Sequence, residues 1–113
     1  MSAVRARRSP QPFSWPVTVD GDRRAVLRLF GELDHGLADS VRSDIAALLE
    51  DGRVELDIDV TDVAFIDSTV LGALIGAHKG AVAASGAVRL LGVHGAVRAV
   101  LETTRLDRII PSA

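Results

Sequence analysis

Residues 54–60 read Val-Glu-Leu-Asp-Ile-Asp-Val, and no other stretch of this chain restricts its fold more. Successive side chains of a β-strand point to opposite faces. Val54, Leu56, Ile58 and Val60 therefore share one side, and Glu55, Asp57 and Asp59 the other. A central strand of a sheet covered on both faces would read as a continuous apolar run. The alternation predicts a sheet with helices on one face and the other face largely open, or a strand at a sheet's rim. Carboxylates spaced along one strand face are those of a solvated surface. No calcium-loop spacing accompanies them, and no metal site is expected.

The flanking segments supply the rest of the layers. Residues 17–20 and 25–31 read as strands joined by a turn-rich Gly-Asp-Arg-Arg. Leu37, Val41, Ile45, Leu48 and Leu49 recur at helical spacing and stop at Asp51-Gly52. A second helix is expected over 68–84, a strand over 87–93, a third helix over 95–103 and a helical turn near Leu106–Ile110. The order β-β-α-β-α-β-α-α predicts a single α/β (α+β) domain over 17–110, built on a mixed sheet with helices mainly on one face. A length of 113 residues with 48% hydrophobic and 25% charged residues suits one domain with its own core.

Composition then excludes several functions. The chain has no cysteine, which removes disulfides, thiolate catalysis and thiolate-bound zinc. No apolar run approaches the ~18 residues of a membrane span. Residues 1–16, MSAVRARRSPQPFSWP, lack the apolar core of a secretory signal. They read as a flexible arginine- and proline-containing leader, and the expected location is cytoplasmic. The formal charge is −2, with acids concentrated over 32–67 against only Arg42 and Arg53. That balance argues against a nucleic-acid partner, which selects a basic face.

Residues 64–72, Ala-Phe-Ile-Asp-Ser-Thr-Val-Leu-Gly, raise the functional question. A buried-looking Phe65-Ile66 pair ends a strand, and Asp67, Ser68 and Thr69 open a helix. One such group can cap the helix; capping does not account for three. Farther along, Leu71, Leu74, Ile75, His78 and Val82 share a face. The opposite face carries Thr69, Gly72, Ala73, Gly76, Gly80 and Ala83, with Lys79 at its margin. Each mid-helix glycine costs about 0.5–1 kcal/mol relative to alanine. Something must come close to that backbone, either a helix of the same domain or a partner protein.

Catalytic readings fail on their parts. Ser68 lacks the flanking glycines of a nucleophile elbow. His78 reads as a satisfied, half-buried histidine, and His35 and His94 fall at capping positions. A phosphoacceptor aspartate domain of the receiver type needs an acidic pair after its first strand and a lysine near its last. The only lysine, Lys79, lies inside a helix. No catalytic residue and no cofactor is expected.

The chain resembles the STAS family, and within it the small freestanding bacterial anti-sigma factor antagonists. Gly-Glu-Leu-Asp-His-Gly at 31–36 is similar to the family's exit from its second strand. Residues 59–79, DVTDVAFIDSTVLGALIGAHK, are similar to its Asp-Ser-Ser/Thr-Gly-Leu-Gly signature, and residues 96–110 to its terminal helices. The resemblance implies a protein that binds an anti-sigma factor when unphosphorylated and so releases a sigma factor. It implies that the anti-sigma factor is often a serine kinase using Mg·ATP, that a phosphatase reverses the modification, and that the domain is a substrate and not an enzyme. Carried across, the phosphorylated residue is Ser68, with Thr69 second. The implied partner-binding residues are Asp34, His35, Asp67, Ser68, Thr69, Val70, Gly72, Ala73, Gly76, Lys79 and Gly80, on a monomer or weak dimer without nucleic-acid or membrane partners. The alternatives are an unphosphorylated STAS scaffold or adaptor subunit of a signalling or lipid-transport complex, and a ligand-binding module.

Two positions depart from the family pattern. Val70 stands where glycine is usual, which places a β-branched residue beside the phosphoacceptor and favours the scaffold reading. Arg105 replaces a glycine between the last two helical segments, where a left-handed cap is easiest for glycine, so those segments are expected to join differently.

Overall fold

A computed structural model describing residues 13–112 turns Leu56, Ile58 and Val60 into the core, each no more than 1% exposed. They belong to β3 (Glu55–Ile66), an interior strand of a four-stranded sheet ordered β1-β2-β3-β4. β1 (Val17–Asp20) runs antiparallel to β2 (Arg24–Leu33), while β2, β3 and β4 (Ala87–Leu91) are mutually parallel. Parallel neighbours need crossover helices. These are α1 (Ala38–Glu50) between β2 and β3, and α2 (Ser68–Ala83) between β3 and β4. α3 (Gly95–Thr104) and a 3-10 turn at Leu106–Arg108 follow. Among the described residues, no helix is long and apolar enough to cross a membrane.

The other side of the sheet is open, the first of the two arrangements that the alternation allowed, and β3 is not at the rim. The register sets Val26, Asp57 and Arg89 in one cross-strand row. Asp57, 9% exposed, accepts from Arg89 Nε at 3.1 Å and from Arg24 at 3.4 Å. Arg24 also reaches Glu55 at 3.3 Å, and Arg28 pairs with Asp62. Cross-strand charge pairs let a strand bearing three acids lie inside a sheet without self-repulsion.

β3 outruns the seven-residue alternation because its register slips. Between Arg28 and Phe30, and again between Gly31 and Glu32, β3 carries an extra residue relative to β2. Each bulge resets which side chains point inward. Burial accordingly passes from 56, 58 and 60 to Val63 and then Ile66. Phe65, expected to be buried with Ile66, is 44% exposed.

Three further expectations change. Val82 is 52% exposed, and the buried face of α2 consists of Val70, Leu71, Ala73, Leu74, Ala77 and Ala81. Residues 13–16, read as part of the leader, are built into the domain: Trp15 is 8% exposed and belongs to the core. The remainder of that leader, residues 1–12, lies outside the described residues. Finally, Arg105 adopts the left-handed conformation, with φ +62°, despite having a Cβ, at a cost of roughly 1–2 kcal/mol. His78 behaves as expected, its Nδ1 accepting from the Val88 N–H at 3.1 Å and tying α2 to β4.

Candidate functional site

β2 and β3 run side by side to the pair Leu33 and Ile66, and each then exits through an aspartate. The Asp67 N–H donates to the Leu33 carbonyl at 2.9 Å, so the two exits are bonded to each other. Asp34 caps the 3-10 turn His35–Leu37, its Oδ1 accepting from the Gly36 N–H at 3.0 Å. Asp67 caps α2 in the same manner, its Oδ1 accepting from the Thr69 N–H at 2.7 Å. Two aspartate turns thus stand together at the carboxyl edge of the parallel strands, where open α/β sheets place their binding sites.

This geometry divides the work of the Asp-Ser-Thr triplet. Asp67 is the cap. Thr69 acts on that cap: its N–H first and its hydroxyl second hold the Asp67 carboxyl below the ordinary carboxylate range, with a smaller contribution from the charge of His35. Ser68 is left over. It is exposed at the first helical position, and its hydroxyl makes no hydrogen bond to any described residue. A group added there would meet solvent and the positive end of the α2 dipole, not the core.

From Ser68 the surface continues along α2. Gly72 and Gly76 are exposed, and a Cβ built on either would meet nothing within 4 Å. Gly80 differs, since its Cβ would lie 3.6 Å from Leu49 Cδ1 of α1. That is ordinary van der Waals contact, so a neighbouring helix comes near the third glycine without requiring it, and does not approach the first two. Lys79 is exposed beside this strip.

Asp34, His35, Ser68, Thr69, Gly72, Gly76, Lys79 and Gly80 are accessible together at this pole and along this helix, with Asp67 partly exposed. Two expected members are not: Val70 is 0% exposed and Ala73 7%. The helical rotation that turns Ser68 outward sends Val70 into the core, so Val70 adds no bulk beside the hydroxyl. The exposed Phe65, two residues before Asp67, is an addition. Consecutive strand residues cannot both face inward, and that rule separates Phe65 from Ile66 without any structure. Among the described residues no cluster of histidines and carboxylates is arranged to hold a metal ion.

Comparison with known proteins places this geometry. The sequence profile of the STAS domain matches residues 16–113. The anti-sigma F factor antagonist of Lysinibacillus sphaericus is 33% identical over 82 residues, covering 72% of this chain and 70% of that protein. The anti-sigma factor antagonist SpoIIAA in its unphosphorylated form superposes with a TM-score of 0.77 at 25% identity, over 88% of each chain. The Bacillus cell fate determinant SpoIIAA in its phosphorylated form gives a TM-score of 0.66 at 26% identity, over 88% of this chain and 91% of the other.

Proposed function

The chain belongs to the STAS domain family, and from that premise we propose that it is an anti-sigma factor antagonist switched by phosphorylation of Ser68. Unphosphorylated, it binds an anti-sigma factor through the pole formed by Asp34, His35, Ser68 and Thr69 and along Gly72 and Gly76. The sigma factor is thereby released. The anti-sigma factor, acting as a serine kinase on Mg·ATP, transfers phosphate to Ser68, and a phosphatase restores the hydroxyl.

The observation that carries this reading is the unbonded, exposed Ser68 hydroxyl at the head of a helix whose cap is already supplied by Asp67. Phosphate there adds −1.5 to −2 charges without touching a packed side chain. Facing one partner carboxylate at ~6 Å in an effective dielectric of ~40–80, it costs roughly 1.0–2.8 kcal/mol. That is about five- to a hundredfold in affinity, before any steric exclusion at the smooth strip. The relatives support the reading, since they are antagonists of this class and one is known in both phosphorylation states. Burial of Val70 removes the feature that favoured an unphosphorylated scaffold.

The test is the intact and peptide mass of the protein recovered from its own cells, before and after incubation with lysate and Mg·ATP. One phosphate on the Ser68 peptide is expected, absent in Ser68→Ala. In pull-downs Ser68→Ala keeps the partner and Ser68→Asp loses it. An unmodified Ser68 under both growth and stress, with the two variants capturing the same partner equally, sinks the proposal.

A further inference from the structure

Asp44 lies mid-way along α1, 3% exposed, and no cation pairs with it among the described residues. A buried carboxylate is costly unless its oxygens are hydrogen-bonded. Both of these are spent on one stretch of chain: Oδ1 accepts from the Ser14 N–H at 3.0 Å and Oδ2 from the Trp15 N–H at 2.9 Å. The Pro16 carbonyl then accepts from the Arg28 N–H at 3.0 Å. Residues 13–16 are thus clasped across α1 and β2 as a strap ahead of β1.

The strap touches both elements that lead to Ser68. The Trp15 indole N–H donates to Ser40 Oγ at 3.1 Å, and the Ser40 hydroxyl donates onward to the Leu37 carbonyl at 2.8 Å. Leu37 ends the 3-10 turn that Asp34 caps. One hydroxyl therefore joins strap, helix and turn. On the other side the Trp15 ring meets Phe30 edge-on, with centroids 5.2 Å apart. Phe30 lies three residues before Leu33, whose carbonyl holds the Asp67 N–H.

We propose that Ser40 is a positioning residue of the switch, with Trp15 and Asp44 behind it, because its hydroxyl joins the strap to the Asp34–Leu37 turn beside Ser68. The functional half of this proposal rests on the reading of Ser68 above. Its physical basis is a contiguous hydrogen-bonded path through a hydroxyl that has one proton to give. With Ser40 engaged by the indole, that proton goes to Leu37 and holds the turn closed against α1.

The experiment uses the full chain. Ser40→Ala removes the shared hydroxyl and leaves the Asp44 clasp intact, which an unchanged backbone amide resonance of Ser14, bound by Asp44, verifies. The backbone amide resonances of Gly36 and Leu37 are expected to move, and that of Thr69 to follow. The initial rate of Ser68 phosphorylation by native-cell lysate with Mg·ATP is expected to fall at least threefold. Ser40→Thr, which keeps the hydroxyl, restores both. Should Ser40→Ala fail to fold, Trp15→Phe breaks the same link from the other end and keeps an aromatic ring in place. Unmoved Gly36 and Leu37 amides, or an unchanged phosphorylation rate, overturn the proposal. A wild-type chain that takes up no phosphate overturns the reading of Ser68 instead, and the amide shifts alone then decide whether the strap positions the turn.

Discussion

Replacing Gly72 and Gly76 together by alanine is expected to stabilise the protein and to weaken its partner complex. Glycine inside an exposed helix is about 0.8–1.0 kcal/mol less favourable than alanine. Neither new Cβ meets an atom within 4 Å, so no clash offsets the gain. The pair is worth about 1.6–2 kcal/mol. At roughly 4–8 °C per kcal/mol for a domain of this size, the melting temperature rises by about 6–16 °C. Urea unfolding followed by circular dichroism should show the midpoint rising by about 0.5–2 M. The internal control is Gly86→Ala, which places a Cβ 2.0 Å from the Val54 carbonyl oxygen and 2.6 Å from its carbon. Backbone cannot step aside, and that variant should lose about 1–3 kcal/mol or more. The same chemical change thus has opposite signs at two places in one chain. Partner affinity of the double variant, measured by calorimetry, should fall at least tenfold, because two methyl groups now stand on a strip that packs bare. A double variant less stable than wild type refutes the claim that these glycines face open space. One that is more stable and binds the partner as well as wild type refutes the claim that the strip is the contact surface.

Val70→Gly, which installs the residue usual in the family, should destabilise by about 2–4 kcal/mol through loss of a fully buried side chain. Ser68 phosphorylation at a temperature where the variant is folded should be unchanged; a faster reaction would place Val70 at the surface after all. The second test uses pH. The Asp67 carboxyl is held below its ordinary value of 3.8 by the Thr69 N–H, the Thr69 hydroxyl and the charge of His35. Its folded pKa being depressed, its contribution to stability is complete above about pH 5 and is lost as pH falls from there through the folded value. Asp67→Asn should flatten that part of the acid unfolding curve, and carboxyl resonances followed by NMR should place Asp67 below 3.8. A titration at or above 3.8 rules out the cap geometry.

Acid placement along 54–60 narrowed the strand to a sheet with one bare face or to a sheet's rim, because strand periodicity is local and needs no neighbour; only the strand order puts it in the interior. Helical spacing likewise located α1, α2 and α3 to within a residue or two. The limit came where neighbours decide. β3 extends to Ile66 through two bulges, and a bulge arises from the pairing of two strands, not from either strand's own pattern. Residues 13–16 looked like leader because proline and serine surround Trp15; only the distant Asp44 and Ser40 make that segment part of the core.

The site divides in the same way. The sequence by itself determined that a hydroxyl sits at the head of a helix between an aspartate and a glycine-rich face, since those are facts of spacing. Which member of Asp-Ser-Thr is free was decided by tertiary structure. Asp67 is fixed as the cap because its N–H is bound by Leu33 of the neighbouring strand, and that bond sets the rotation of α2. The rotation turns Ser68 to solvent, buries Val70 and leaves Gly72 and Gly76 open, with Leu49 of α1 beside the exposed Gly80. A helix's phase about its own axis is settled by what it packs against, and no local pattern in Asp-Ser-Thr-Val encodes it.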